Sequence, residues 1–149
     1  MVNEYTRIKA RILLVEDNAA DIRLTKQVLK ENKIVSSLDI VRDGVEAINF
    51  LKRRGKFSNA RTPNLIILDL NLPKRDGFEV LKELKHDDKL KRIPVVILTV
   101  SDAKEDLIKG YDLHANCYVI KPLEMKEFYR IINSIVNFWF IIVKQLNNE

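Results

Sequence analysis

The chain has 149 residues, of which 46% are hydrophobic and 32% are charged, and its formal net charge is +5 at pH 7. This length and balance are typical of one globular domain. A single cysteine, Cys117, excludes an internal disulfide, and no apolar run approaches the roughly 20 residues that span a bilayer. The first segment, Met1–Arg11, is polar and charged, unlike a secretory signal, so we expect a cytoplasmic protein without a membrane partner.

Five strand–helix units are predicted along the chain. Apolar runs predict strands at Arg11–Val15, Leu65–Leu68, Pro94–Leu98 and Cys117–Ile120, and an alternating pattern predicts one at Ser37–Val41. Segments with apolar residues at helical spacing follow these runs, and the last helix is predicted from Glu124 to Leu146. Asn18 is the predicted N-cap of the first helix, with Asp21 as its partner in a weak capping box. This alternation predicts an α/β fold, a doubly wound parallel sheet with helices on both faces.

Polar residues stand where four of these strands end. Glu16 and Asp17 follow the first strand, Asp69 the third, Thr99 the fourth and Lys121 the fifth. Because the carboxyl ends of parallel strands lie at one edge of a sheet, we expect these side chains to meet there. Close carboxylates repel each other and require a compensating cation. A hard cation such as Mg²⁺ prefers such oxygen ligands.

This set of residue types also suits phosphoryl chemistry. A lysine and a hydroxyl can hold phosphoryl oxygens, and an ionised aspartate is a competent nucleophile at phosphorus. The strand ends therefore predict Mg²⁺-assisted phosphoryl transfer onto Asp69, with Lys121 neutralising charge on the transferred group. The competing interpretation is that these residues serve only as caps and surface ions.

Four segments resemble one protein family. They are Ile12–Asp17 (ILLVED), Leu65–Gly77 (LIILDLNLPKRDG), Pro94–Thr99 (PVVILT) and Tyr118–Pro122 (YVIKP). Together they resemble the receiver domain of two-component response regulators. The resemblance implies a flavodoxin-like fold with strand order 2-1-3-4-5, and a single receiver domain over residues 1–149 with an extended C-terminal helix. It also implies a phospho-acceptor without an output domain, served by a sensor histidine kinase, and no enzyme beyond its own phosphotransfer and dephosphorylation.

The resemblance assigns a metal site and a phosphorylation site. Glu16 and Asp17 correspond to the acidic pair that holds Mg²⁺ in the family. Asp69 corresponds to the phosphorylated aspartate, which is also a metal ligand, and the main-chain carbonyl of Asn71 completes the metal site.

Further roles follow from the same resemblance. Lys121 corresponds to the lysine that pairs with the phosphoryl group. Thr99 and Tyr118 resemble the switch pair, in which the hydroxyl bonds the phosphoryl group and the aromatic ring moves inward. The Lys121–Pro122 peptide is expected to be cis, as in the family.

The closest likeness within the family concerns its single-domain members. The predicted long loop Arg53–Thr62, the segment Asp69–Pro73 and the prolonged last helix resemble the regulators that serve bacterial phytochromes and related sensor kinases. The resemblance therefore implies a phytochrome-like kinase as partner.

Two other classes of function compete with the receiver. An aspartate-based phosphatase would use the same aspartate and Mg²⁺, but it usually needs a second acid shortly after the nucleophile. The residue two positions after Asp69 is Asn71, which cannot donate a proton in that way. A nucleic-acid-binding module is suggested by the net charge alone, and because no DNA-reading motif accompanies the basic residues we expect no nucleic-acid partner.

The end of the last helix predicts a homodimer. An apolar stripe that can cover the sheet is supplied by Phe128, Ile131, Ile132, Ile135 and Val136. Beyond that stripe, the run Phe138–Val143 is apolar on every side. A patch of this kind is normally buried in a contact, and a symmetric self-contact is the commonest solution. Docking on a kinase or target is the alternative.

Overall fold

Five parallel strands alternate with five α-helices in residues 10–143, the part of the chain that the computed structural model describes. The strands are β1 (Ala10–Val15), β2 (Val35–Val41), β3 (Leu65–Leu68), β4 (Val95–Thr99) and β5 (Cys117–Ile120). The helices are α1 (Ala19–Glu31), α2 (Gly44–Leu51), α3 (Gly77–Lys85), α4 (Lys104–Asp112) and α5 (Met125–Asn137). The order in the sheet is β2-β1-β3-β4-β5, which confirms the expected topology.

The central strand is buried on both of its faces. Ile66 and Leu68 pack in a core with residues of α2 and α3. Leu65 and Ile67, which point the other way, pack in a second core with residues of α1 and α5. All four residues are at most 1% exposed. A continuous apolar run, rather than an alternating one, is what a strand covered by helices on both sides requires.

Side-chain caps fix where three of the helices begin. The side-chain oxygens of Asn18, Asp43 and Asp76 accept hydrogen bonds from backbone N–H groups in the first turns of α1, α2 and α3. Each of these caps follows a loop at the carboxyl edge of the sheet, so the caps also limit how those loops can move. The prediction that Asn18 caps α1 is confirmed.

The last helix ends earlier than predicted. α5 stops at Asn137, a π-helical turn covers Phe138–Ile142, and the backbone of Val143 is extended. The predicted end, Leu146, lies outside the described residues. The β-branched residues Ile141, Ile142 and Val143 come in succession, and such residues favour helix less than straight side chains do. Throughout residues 10–143, the helices are too short or too polar to cross a membrane.

Candidate functional site

Three acidic side chains converge on the ammonium of Lys121 at the carboxyl edge of the sheet. Its Nζ donates hydrogen bonds to Glu16 Oε2 at 2.7 Å, to Asp21 Oδ2 at 2.7 Å and to Asp69 Oδ2 at 2.8 Å. Glu16, Asp69 and Lys121 are buried, whereas Asp21 is partly exposed. The prediction that Glu16, Asp69 and Lys121 meet is confirmed.

Backbone hydrogen bonds between neighbouring strands hold these residues in register. Glu16 donates its N–H to Val41, Asp69 donates to Val15, and Lys121 donates to Thr99 at 2.7 Å. The strand pairing thus continues for one residue beyond each strand. The site residues are therefore positioned by the sheet itself rather than by a flexible loop.

In each of the two buried carboxylates, one oxygen accepts a hydrogen bond from a backbone N–H group and the other accepts one from Lys121. In Glu16, Oε1 accepts from the backbone N–H of Asn18 at 3.0 Å and Oε2 accepts from Lys121. In Asp69, Oδ1 accepts from the backbone N–H of Asn71 at 3.2 Å and Oδ2 accepts from Lys121. Each carboxylate is thus held at both ends, which fixes its orientation.

The electrostatic balance of the site is negative. Burial raises the pKa of Glu16 to about 7, although the hydrogen bond from Lys121 opposes that rise. For Lys121, burial alone would lower the pKa, but the hydrogen bonds to Asp21, Asp69 and Glu16 together outweigh it and raise the pKa. One ammonium faces three acidic groups, so the site favours a further cation.

Thr99 brings a buried hydroxyl to the same edge. Its side chain is 0% exposed, and its Oγ1 has no hydrogen-bond partner among the described residues. An unsatisfied buried hydroxyl costs about 1–3 kcal/mol, so such a group requires an explanation, of which a catalytic role or a bound water or ion is one kind. Val100, directly after Thr99, is 61% exposed.

Tyr118 connects β5 to the loop that follows Thr99. Its hydroxyl donates to the carbonyl oxygen of Ser101 at 2.9 Å. Its ring lies against Gly110 of α4, where an added Cβ would be 3.2 Å from Tyr118 Cδ2. The ring is half-buried, with its hydroxyl toward the loop after β4.

The remaining expected metal ligands lie within two residues of the buried carboxylates in the chain. Asp17 and Asn71 are exposed, next to the buried Glu16 and Asp69 respectively. In the described part of the chain, no three acidic, histidine or cysteine side chains form a metal cage by themselves. Mg²⁺ does not need such a cage, because it usually keeps several waters and takes one or two carboxylates plus phosphate oxygens. The oxygen donors and the excess negative charge of the site therefore fit Mg²⁺.

The structure corrects one expectation at the end of β5. The Lys121–Pro122 peptide is trans, and residues 10–143 contain no cis peptide bond. Proline reduces the preference for trans to about 0.5–1 kcal/mol but does not reverse it. The Lys-Pro sequence by itself therefore does not establish a cis peptide bond.

Asp21 is the site residue that the sequence interpretation missed. The capping-box prediction gave its carboxylate to the backbone N–H of Asn18, but that N–H donates to Glu16, and Asp21 binds Lys121 instead. The sequence feature that could have identified it is an acidic residue in the first turn of α1, the helix that begins at the carboxyl edge of the sheet. Only the fold shows that Lys121, 100 residues later, ends beside it.

A family model described as the response regulator receiver domain matches residues 12–133. The chain belongs to this family. The response regulator Rcp1 of Synechocystis sp. is 51% identical over 128 residues, which cover 86% of this chain and 87% of that protein. The receiver domain resemblance found in the sequence is therefore confirmed.

Solved structures agree with this assignment. The phosphorylated cyanobacterial phytochrome response regulator RcpA superimposes with a TM-score of 0.91 at 44% identity, over 94% of this chain and 100% of that chain. The Mn(2+)-bound form of Rcp1 superimposes with a TM-score of 0.88 at 48% identity, over 93% of this chain and 99% of that chain. The receiver fold, with its five-stranded parallel sheet, is thus common to all three.

Proposed function

We propose that this receiver domain accepts a phosphoryl group on Asp69 from a sensor histidine kinase. The observation that carries the proposal is the contact between the Lys121 ammonium and Asp69 Oδ2, which are 2.8 Å apart. Thr99, at the end of the strand between them, has a buried hydroxyl with no partner among the described residues. This arrangement offers a nucleophile, a cation and a hydrogen-bond donor at adjacent strand ends. These are the groups that a transferred phosphoryl group requires.

The transfer itself needs little covalent chemistry from the protein. One carboxylate oxygen of Asp69 forms a bond to phosphorus while the bond from phosphorus to the donor's leaving atom breaks, and the product is an acyl phosphate. Glu16, Asp17, Asp69 and the Asn71 carbonyl would hold Mg²⁺, which supplies positive charge to the phosphoryl oxygens. Lys121 supplies a second positive charge, and its hydrogen bonds to Glu16 and Asp21 keep the ammonium beside Asp69 before the reaction.

The signal would then pass from Thr99 to Tyr118. The buried Thr99 hydroxyl has no hydrogen-bond partner in residues 10–143, so a phosphoryl oxygen within its reach would give it an acceptor. Movement of the loop after β4 toward that oxygen would disturb the hydrogen bond from Tyr118 to Ser101. The Tyr118 ring would thereby change its position on α4 and alter the surface that a partner contacts.

A phytochrome-like kinase is the proposed source of the phosphoryl group. The support is the likeness to RcpA, which is a phytochrome response regulator, at 44% identity over the whole of that chain. Phosphotransfer from a panel of labelled sensor kinases tests this choice. Transfer from kinases without a phytochrome sensor, at rates equal to or above those from phytochrome kinases, would contradict it.

We also propose that the receiver domain forms a homodimer through its C-terminal apolar patch, which we define as Phe138, Ile141 and Ile142. These side chains are 47%, 38% and 71% exposed. They lie on one short turn after α5, so they form a compact apolar surface rather than isolated residues.

Phosphorylation of Asp69 can be tested without the kinase. Incubation with a small phospho-donor and Mg²⁺ should label the wild-type protein on Asp69, and the label should be absent from Asp69→Asn and after addition of excess chelator. Asp39→Asn, which removes an exposed acid on β2, is the matched control and should be labelled like the wild type. Undiminished labelling of Asp69→Asn would refute the proposed function.

A further inference from the structure

The three acceptors of the Lys121 ammonium differ in how easily they can leave it. The side chains of Glu16 and Asp69 are 4% and 6% exposed, whereas that of Asp21 is 27% exposed. Glu16 is also held by the backbone N–H of Asn18. A carboxylate that water can solvate loses little when it leaves an ion pair, but a buried one is left without compensation.

Phosphorylation of Asp69, on which this inference rests and which is part of the proposed function, changes which acceptors are available to the Lys121 ammonium. An ammonium has three protons, and in this structure each has an acidic acceptor. Formation of the acyl phosphate removes the charge of the Asp69 carboxylate, but the added phosphoryl group carries about two negative charges near neutral pH. The phosphoryl oxygens and Asp21 would then face each other across the same ammonium, as like charges only a few ångströms apart.

We propose that Asp21 competes with the phosphoryl group for Lys121 and thereby restrains phosphorylation. In the unphosphorylated protein, Asp21 holds the ammonium from the first turn of α1. On phosphorylation, Lys121 turns to the phosphoryl oxygens, and Asp21 moves into water because it is the one acceptor that is neither buried nor covalently modified. Asp21 is thus a positioning residue, which acts on the phosphoryl group through Lys121.

The affinity for beryllofluoride, a stable mimic of the phosphoryl group, measures this competition at equilibrium. Titration in the presence of Mg²⁺, followed by amide NMR shifts, should show binding about 5-fold tighter in Asp21→Asn than in the wild type, since a partly exposed ion pair contributes about 1 kcal/mol. Asp21→Glu, which keeps the charge, should return the affinity to within about 2-fold of the wild type. Asp39→Asn should bind like the wild type, because this substitution removes the same charge from β2 rather than from the residue that contacts Lys121.

Two further measurements separate competition for Lys121 from simple repulsion by the Asp21 charge. In a Lys121→Met background, the gain from Asp21→Asn should disappear, because the residue through which Asp21 acts is absent. In the wild type, the ¹³C shift of the Asp21 carboxylate should move on titration toward the value that it has in Lys121→Met. A gain that persists without Lys121, or an Asp21 signal that does not move, would overturn the inference.

The titration also distinguishes this inference from the proposed function. Failure of the wild type to bind beryllofluoride with Mg²⁺ would count against phosphorylation at Asp69 itself. Normal binding by the wild type, with equal affinity in Asp21→Asn and Asp39→Asn, would leave the proposed function intact and overturn only the role of Asp21.

Discussion

Lys121 is the residue on which the charge balance of the site depends. Its ammonium is the shared donor to Glu16 and Asp69, each of which has its second oxygen on a backbone N–H group. Without Lys121 the two carboxylates would remain in place, because the strands and these backbone groups hold them. The lysine therefore governs the charge of the site more than its geometry.

Replacing Lys121 by alanine should consequently separate metal binding from phosphoryl binding. We expect Mg²⁺ affinity to be retained or increased, because the carboxylates lose a competing cation, while beryllofluoride affinity falls at least about 10-fold, since a charge-assisted hydrogen bond contributes about 1.5–3 kcal/mol. NMR titration with Mg²⁺ alone, and then with beryllofluoride, measures the two affinities. Asp17→Asn is the comparison variant, expected to weaken Mg²⁺ binding, and an equal loss of Mg²⁺ affinity in Lys121→Ala would show that the roles are not divided.

At the scale of elements, the segment between β3 and α3 is packed against the phosphorylation site without spare room. A Cβ on Gly77, the first residue of α3, would lie 2.5 Å from the carbonyl oxygen of Asp69 and 2.7 Å from Cα of Leu70. The neighbouring atoms belong to the backbone, so they cannot turn aside as a flexible side chain could. Close contact between α3 and the end of β3 thus holds the loop that carries Asn71.

Gly77→Ala should therefore lower the free energy of unfolding by about 3 kcal/mol, the upper end of the usual cost of overpacking. Urea unfolding followed by circular dichroism measures the loss. Gly55→Asn is the matched control, because Gly55 has φ +57, a conformation that asparagine tolerates, and an added Cβ there meets no atom within 4 Å. A loss for Gly77→Ala no larger than that of the control would show that the loop adjusts freely.

At the scale of the whole molecule, the C-terminal apolar patch sits beside residues that belong to the core. Phe140, in the same turn, is 1% exposed and packs in the core formed with α1 and α5. Deleting the entire turn would therefore damage the domain as well as any interface. A single substitution at the most exposed position tests the interface with less disturbance.

Ile142→Glu should convert the proposed dimer into a monomer, because it places a charge in the contact. Sedimentation velocity at low micromolar concentration should show a dimer for the wild type and a monomer for the variant. Val45→Glu, on the exposed side of α2, adds the same charge elsewhere and should remain dimeric. A monomeric wild type at this concentration would disprove the dimer.

Local sequence was sufficient to predict the elements and most of the site. The apolar runs that became β1, β3 and β4 were visible because strands covered on both sides need continuous apolar residues. β5 has a similar apolar run, although as an edge strand it is only partly buried. The acids, Thr99 and Lys121 were visible because each stands where such a run ends. The convergence of Glu16, Asp69 and Lys121 then followed from the parallel arrangement of the strands.

Two features were decided by tertiary contacts. Asp21 binds Lys121 rather than the N-cap backbone, because the fold brings in a cation from far along the chain. The last helix changes to a π turn after Asn137, where Phe140 enters the core while Phe138 and Ile142 stay exposed. In both cases contacts with residues distant in the chain select between the local alternatives.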